Sequence, residues 1–255
     1  MKSTLIGVCH LPPLPGSPRA GAMREAIERA ARDATALAQA GFDAILIENF
    51  GDAPFFRDDV PDVTVAAMTA CALAAREAAP RLALGVKVLR NDARAALAVA
   101  VASGAAFVRV NVLAGARVTD QGVIEGRAAE VLRERAAIAK GVRVFADVAV
   151  KHSAPLGARP LAEEARELAE RALADAILVT GAGTGAPADE RDLEIVRRAA
   201  HVPVFVASGA TERSASALLA QCDGVIVGTA IKRGRRAGGP VDPALAKRFA
   251  RAARR

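Results

Sequence analysis

Eight short runs of apolar and β-branched residues recur along the chain, and segments of helical composition separate almost all of them. The runs cover residues 4–9, 43–47, 82–89, 106–112, 142–148, 175–179, 204–207 and 224–227. The helical segments cover residues 23–40, 63–79, 93–103, 127–140, 161–173, 189–200, 212–221 and 243–253. Alternation of strand and helix is typical of a parallel sheet with right-handed crossovers. Eight such units in about 250 residues are the size of one TIM barrel.

The sequence therefore predicts an α/β fold, a single TIM (βα)8 barrel, with an open doubly wound sheet as the alternative. We expect one domain over residues 1–255, with the barrel core at about 4–230 and a closing helix at about 243–253. A core of this size needs no disulfides or metal to hold it together.

Composition narrows the classes of partner. Aromatic residues make up 3% of the chain, with no Trp and no Tyr, so it lacks the platforms on which nucleic-acid bases stack, and no nucleic-acid partner is expected. The net charge of +7 is spread over helix faces, apart from a basic cluster in residues 232–255. That cluster is typical of a solvated helix face, and contact with an acidic partner or a lipid surface is the alternative.

Cysteine usage and hydropathy indicate the compartment. Cys9, Cys71 and Cys222 are isolated, which is typical of small core residues in a reducing cytoplasm. The apolar run at residues 5–9 is too short for a signal peptide, and there is no uninterrupted apolar stretch of about 18 residues. The sequence predicts a cytoplasmic location and no membrane span.

Small residues follow each of the last two strand-like runs, and such turns are typical of phosphate-binding sites. Ser208 and Gly209 follow the seventh run, Gly228 and Thr229 follow the eighth, and Lys232 comes just beyond. Small residues let backbone N–H groups approach an anion, and the loops after strands seven and eight are the frequent phosphate site of TIM barrels. These four residues are predicted to bind phosphate, with Lys232 as a counter-charge. Two ordinary tight turns are the alternative.

Polar residues recur at the predicted carboxyl ends of the strands, where TIM barrels place their sites. They alternate with apolar neighbours, as Arg109 and Asn111 do in the fourth strand. The candidate substrate-binding residues from this pattern are His10, Asn49, Asn91, Arg109, Asn111, Thr180 and Thr184. Arg109 could hold an anionic group with both ends of its guanidinium.

Four strand-end residues are the catalytic candidates. Glu48 and Asp147 are predicted as general acid and base, since desolvation at a barrel mouth raises the pKa of a carboxyl group towards neutral pH. Lys151 is predicted as a fixed cation for an anionic intermediate, with a Schiff-base nucleophile as the alternative. His152 follows it directly.

His10, Glu48, Asp147 and His152 could also converge on a divalent metal, although their separations show no ligand spacing. No metal site is assigned on this basis, and no cofactor is predicted with certainty.

Several segments together resemble the BtpA/SgcQ family over nearly the whole chain. They include HLPPLPGSP (10–18), ENFGDAPF (48–55), LRNDA (89–93), VTDQGVIEG (118–126) and DGVIVGT (223–229). The resemblance implies a ribulose-phosphate-binding type of barrel with its site at the mouth, and adds Asp120 to the substrate-binding candidates. One departure is Lys87, which stands where the resemblance leads us to expect Asn.

The resemblance leaves the function open between classes. The first hypothesis is an enzyme on a small phosphorylated sugar or related metabolite, acting by isomerisation, epimerisation or aldol-type cleavage. The second is a non-catalytic factor for biogenesis of photosystem or membrane complexes, weakly and peripherally bound through the basic C-terminal segment, since the family takes its name from photosystem I biogenesis. The third is an enzyme on nucleosides or nucleotides. A barrel of this type is also expected to form a homo-oligomer.

Overall fold

The computed structural model describes residues 3–157, 159–181, 183 and 185–254. Eight parallel strands in this part of the chain close into a barrel, in the order β1-β11-β10-β9-β7-β4-β3-β2. The barrel strands are β1 (Thr4–His10), β2 (Ala44–Glu48), β3 (Ala83–Lys87), β4 (Phe107–Val110), β7 (Arg143–Val148), β9 (Ala176–Val179), β10 (Val204–Val206) and β11 (Gly224–Val227). Closure confirms the predicted barrel and excludes the open doubly wound sheet.

Eight α-helices surround the barrel in the described residues. They are α1 (Met23–Ala40), α2 (Asp62–Ala78), α3 (Ala93–Ser103), α4 (Ala128–Ile138), α5 (Leu161–Glu170), α6 (Glu190–Ala199), α7 (Ala215–Gln221) and α8 (Pro243–Ala253). Their apolar faces pack on the strands through a layer rich in alanine, which lets the helices approach closely. Helix α7 is shorter than predicted because Thr211 and Ser214 form a hydrogen-bonded turn before it begins.

Three phenylalanines fill the inside of the barrel. Phe107 and Phe145 stack with their ring centroids 4.7 Å apart, and Phe205 lies 5.2 Å from Phe145. Gly85 makes room for them, because a Cβ atom at this position would lie 2.2 Å from the Phe107 ring. The barrel is therefore a packed core rather than a channel.

Three strands are each preceded by an aspartate, and these aspartates bind neighbouring strands at the amino-terminal end of the barrel. Asp43, Asp175 and Asp223 accept hydrogen bonds of 2.7–2.9 Å from the backbone N–H groups of Leu5, Val144 and Val204 on neighbouring strands. These carboxylates satisfy strand-end donors far from the mouth, so they serve stability.

A small antiparallel sheet lies outside the barrel. It consists of β5 (Ala116–Thr119), β6 (Gly122–Glu125) and β8 (Ala154–Pro155), with β5 in the middle. None of the eight strand-like runs in the sequence covers residues 116–125 or 154–155, so this sheet was not predicted. The hairpin β5–β6 carries its turn, with Asp120, over the mouth of the barrel.

Candidate functional site

A cavity of about 640 Å3 opens at the carboxyl ends of the barrel strands, and we call it the mouth cavity. Its floor includes Val8, Ala207 and Ile226, which belong to the barrel interior. Its walls come from the ends of β1, β2, β3, β4 and β11 and from the loops after β7 and β10. This is the position at which (βα)8 barrels carry their sites.

Three polar residues stand side by side in one row of the barrel wall. His10 is the register partner of Glu48, and Glu48 is the register partner of Lys87. Each is the last residue of its strand, and all three are buried yet line the mouth cavity. The parallel register of β1, β2 and β3 therefore assembles a His–Glu–Lys row from residues 38 and 39 positions apart.

Glu48 and Lys87 form a buried ion pair, with 3.4 Å between Glu48 Oε2 and Lys87 Nζ. Burial alone would raise the pKa of Glu48, but the positive charges of Lys87 and Arg109 outweigh it and hold that pKa at about 2. The expectation that desolvation raises the pKa of Glu48 was therefore wrong. Burial lowers the pKa of Lys87 to about 7, although Glu48 acts in the opposite direction. Near neutral pH the pair thus combines a carboxylate with an amine that is partly unprotonated.

His10 is held as a neutral hydrogen-bond donor. Its Nδ1 accepts a hydrogen bond of 3.1 Å from the backbone N–H of Gly238, and its ring stacks on Phe50 with centroids 4.4 Å apart. Burial lowers the pKa of His10 to about 3. Since Nδ1 is an acceptor, the neutral ring carries its proton on Nε2, beside the Gly228 turn.

Arg109 and Asp147 are bound to each other rather than free for a substrate. Arg109 Nη2 lies 2.7 Å from Asp147 Oδ1 and Arg109 Nε lies 3.2 Å from Asp147 Oδ2, with both side chains almost fully buried. Both carboxylate oxygens are thereby occupied. Asp147 holds Arg109, which lines the mouth cavity, whereas Asp147 itself is not among the described lining residues, so its placement does not support the predicted role as general acid or base.

The three predicted asparagines tie neighbouring strand ends together. Asn49 accepts from Leu89 N–H, while Asn91 both donates to and accepts from the backbone of Val112. Asn111 donates to the carbonyl of Arg90 at 3.3 Å. None of the three is among the residues that line the mouth cavity, so their predicted role in substrate binding is not supported by their placement.

The two predicted phosphate turns both reach the mouth cavity, and Ser208, Gly209, Gly228 and Thr229 all line it. The Ser208 hydroxyl donates to the carbonyl of Ala186 at 2.9 Å, which ties the loop after β9 to the loop after β10. Gly209 has a φ of +68°, and a Cβ there would lie 2.2 Å from Pro187 Cα, so packing requires the glycine. A Cβ at Gly228 would lie 3.3 Å from Cε1 of the His10 ring, so this turn packs closely beside His10.

Lys232 does not belong to this site. Its side chain is fully buried, and its Nζ lies 3.5 Å from Asp33 Oδ2, on the side of the barrel covered by α1. Asp33 also accepts from the backbone N–H of Val241 and so fastens the segment that leads into α8. The prediction of Lys232 as a counter-charge for phosphate was wrong, because the chain turns its side chain away from the mouth.

The remaining predicted residues divide between the mouth cavity and its surroundings. Lys151, His152 and Asp120 line the cavity, whereas the hydroxyl of Thr180 is buried without a hydrogen-bond partner among the described residues and does not line it. Thr184 lies outside the described residues.

Positive charge dominates the mouth cavity. Six cationic side chains line it, against the two carboxylates of Glu48 and Asp120: Arg19, Lys87, Arg90, Arg109, Lys151 and Arg235. After the charge of Asp147, which binds Arg109, is subtracted as well, an excess of three positive charges remains when Lys87 is protonated and of two when it is neutral. An anionic ligand is therefore the electrostatic match for this cavity.

Sequence reasoning missed several lining residues. Arg19 directly follows the HLPPLPGSP segment, and Phe50 and Phe55 lie in the ENFGDAPF segment. Arg235 lies in the basic cluster that was interpreted as a solvated helix face. The only signal for them was their proximity in sequence to recognised segments.

The four residues considered as metal ligands do not form a metal centre. Within the part of the chain that the structure describes, no group of three or more His, Cys, Asp or Glu side chains is arranged to hold a metal ion. Glu48 faces Lys87 and Asp147 faces Arg109, so cations of the protein already neutralise both carboxylates.

The closed parallel barrel with a polar cavity at its mouth defines a TIM-barrel protein. Solved structures with this fold include the phosphoribosyl anthranilate isomerase of Thermus thermophilus, with a TM-score of 0.58 and 12% identity over 98% of this chain and 97% of that one. A tryptophan synthase chain of M. tuberculosis gives a TM-score of 0.59 and 20% identity over 99% and 93%. Identity this low supports the fold alone.

Sequence comparison gives the family. The chain belongs to the BtpA family, whose model matches residues 1–255. It is 45% identical to the photosystem I biogenesis protein BtpA of Synechocystis sp. over 96% of this chain and 86% of that protein. It is also 43% identical to an uncharacterised protein of Archaeoglobus fulgidus over the full length of both.

None of the helices in the described residues is long and apolar enough to cross a membrane.

Proposed function

We propose that this protein is an enzyme that binds a small phosphorylated sugar, or a related phosphorylated metabolite, in the mouth cavity. The proposed reaction is isomerisation, epimerisation or aldol-type cleavage by acid–base chemistry. The observation that carries the proposal is the positive excess of the cavity, which has six cationic side chains and two carboxylates, including Glu48 and Lys87 of the buried His–Glu–Lys row. A charged ligand would contact several of these cations at once.

The phosphate group is proposed to bind at the turns after β10 and β11. Ser208, Gly228 and Thr229 line the cavity there, and loops at this position frequently bind phosphate in (βα)8 barrels. A phosphoribosyl anthranilate isomerase of similar fold was solved with reduced 1-(o-carboxyphenylamino)-1-deoxyribulose 5-phosphate, which is a phosphorylated sugar derivative. That likeness supports the choice of ligand class to test first.

The row of His10, Glu48 and Lys87 supplies groups for proton transfer and for polarising a carbonyl. Glu48 is ionised at neutral pH, so it is proposed to accept a proton from carbon or oxygen. His10 is neutral and is proposed to donate from Nε2 to a substrate oxygen, as an uncharged electrophile. Lys151 and Arg90 are proposed to stabilise the negative charge that develops in an enolate.

The proposal is tested by thermal unfolding with inorganic phosphate, a panel of sugar phosphates, the matching free sugars and nucleoside monophosphates. A ligand at about 100 times its dissociation constant should stabilise the fold by roughly 2.7 kcal/mol, a shift of a few degrees. Gly228→Asp places a carboxylate in the mouth cavity and should abolish the shift. Gly141→Asp is the matched control, because a Cβ at Gly141 meets no atom within 4 Å and Gly141 is not a lining residue.

A response to sugar phosphates that Gly228→Asp removes and Gly141→Asp keeps would support the proposal. A flat panel would refute it. A response to nucleoside monophosphates alone would favour a nucleotide-directed enzyme, for which Phe50 and Phe55 would supply stacking surfaces in the same cavity.

The second candidate function is a factor for biogenesis of a membrane complex, and the name of the Synechocystis relative favours it. Helix α8 exposes Lys247, Arg248 and Arg251, but its Phe249 is fully buried against the barrel. Basic surface segments bind membranes weakly unless apolar area joins them. Co-sedimentation with anionic liposomes at low salt, lost on Lys247→Glu with Arg251→Glu, would favour this candidate over the enzyme.

A further inference from the structure

Lysine is rare in this chain, and two of its lysines lie in the mouth cavity. The sequence has six lysines and 29 arginines, so arginine is the cation used almost everywhere. Lys87 and Lys151 are the lysines among the described lining residues. Arginine holds an anion better than lysine does, but only lysine can lose its proton near neutral pH. An amine at a lining position is therefore better suited to chemistry than to anion binding.

The placement of Lys87 differs from that of Lys151. Lys87 is the last residue of β3, its side chain is 3% exposed, and its Nζ is fixed 3.4 Å from Glu48. Lys151 lies in the loop after β7 and is partly exposed. A reacting group on a rigid strand keeps its geometry better than one on a loop.

The strand order places Lys87 across the cavity from the proposed phosphate turns. In the ring of eight strands β3 and β10 are separated by three strands in either direction, so they face each other. A small sugar phosphate with its phosphate at the Ser208 turn would direct its far end towards β3. In an open-chain aldose phosphate the carbonyl carbon is at that far end, and in a ketose phosphate it is the next carbon.

We infer that Lys87 is the covalent nucleophile of this site and forms an imine with the carbonyl carbon of a phosphorylated aldose or ketose. This inference rests on the proposed function and adds a covalent intermediate to it. The lone pair of the neutral Nζ attacks the carbonyl carbon, and the C–N bond forms as the C=O π electrons move to oxygen. Two protons pass from nitrogen to that oxygen, which leaves as water.

The imine, once protonated, takes up the electron pair released when a neighbouring C–H or C–C bond breaks. Return of a proton to carbon regenerates the protonated imine, and hydrolysis then consumes one water and releases the carbonyl product and the free amine. Glu48 is placed to accept the proton from carbon or from the attacking nitrogen, and His10 is placed to donate to the departing oxygen. Neither step requires an oxidant, a reductant or a metal.

The test is reductive trapping of the full-length protein with dihydroxyacetone phosphate or ribose 5-phosphate and sodium borohydride, followed by peptide mass spectrometry. Burial lowers the pKa of Lys87 to about 7, so a far larger fraction of this amine is neutral at pH 7 than the roughly one in a few thousand of an ordinary lysine. The expected result is an adduct on Lys87, absent with unphosphorylated dihydroxyacetone and absent in Lys87→Arg. The adduct should persist on Lys87 in Lys151→Arg.

The shift in melting temperature with the same two sugar phosphates shows whether a negative result concerns this inference alone or also the proposed function. A shift without an adduct, or an adduct on Lys151 instead, overturns the inference and leaves the phosphorylated ligand in place. If neither a thermal shift nor an adduct is observed, both the inference and the proposed function are overturned. If Lys87→Arg fails to fold, the wild-type pH profile decides: trapping on Lys87 should be half-maximal near pH 7, and a profile that rises only above pH 9 overturns the inference.

Discussion

The Arg109–Asp147 pair offers a direct measurement of how much the mouth of the barrel depends on buried charge. Both side chains are at most 3% exposed, and two hydrogen bonds of 2.7 and 3.2 Å join them. Asp147→Asn keeps the shape of the side chain but removes its charge, so it leaves the Arg109 guanidinium buried without its partner. Breaking a buried pair in this way costs about 3–5 kcal/mol.

The expected loss lies at the lower end of that range, about 3 kcal/mol, because Glu48 also places negative charge near Arg109. For a chain of 255 residues this corresponds to a melting temperature lower by about 6 °C, and to a lower urea midpoint with an unchanged slope. Replacing both partners, as in Arg109→Met with Asp147→Leu, should recover much of the loss, since two desolvated charges are then absent.

Glu194→Gln is the matched control, because Glu194 pairs with Arg198 on the exposed face of α6. It should change stability by less than about 0.5 kcal/mol. The reasoning is refuted if Asp147→Asn is no more destabilising than this control, or if the double replacement is worse than Asp147→Asn alone.

Two further predictions concern the same row and the barrel interior. The folded-state pKa of Glu48 is about 2, below its ordinary value of 4.5, so its ionisation stabilises the fold above pH 4.5 and this stabilisation is lost as the pH falls from 4.5 towards 2. Urea unfolding should therefore show a lower free energy of unfolding for Glu48→Gln than for wild type at pH 7, and this difference should be smaller at pH 3. A difference that does not change with pH would contradict the lowered pKa of Glu48. Gly85→Ala should destabilise by about 1–3 kcal/mol, since its Cβ would meet the Phe107 ring at 2.2 Å, whereas Gly141→Ala should be nearly neutral.

Local signals in the sequence predicted the helices well. Helices α1, α3 and α8 begin and end where the sequence indicated, because their boundaries depend on neighbouring residues. Gly41, with a φ of +87°, ends α1, and the Asp92 carboxylate caps the start of α3. The strands were also placed to within about two residues, since their β-branched runs are short and sharply bounded.

The pairing of side chains at the mouth could not be predicted from local signals. Arg109 and Asp147 are 38 residues apart and meet through the register of β4 and β7. The Glu48–Lys87 pair could not be predicted for the same reason. Because the charge of Lys87 was not taken into account, the expected direction of the Glu48 pKa shift was wrong. Lys232 shows the limit most clearly, because a turn beyond β11 decides whether its side chain faces the mouth or Asp33.

The stack of Phe107, Phe145 and Phe205 has a kinetic consequence for any reaction at the mouth. Because these rings block the barrel axis, a bound molecule has no exit through the far end and must leave on the side from which it entered. Product and incoming substrate would then occupy the same space in turn. Inhibition by product should therefore be competitive with substrate, so that turnover slows as product accumulates and an excess of substrate restores the rate.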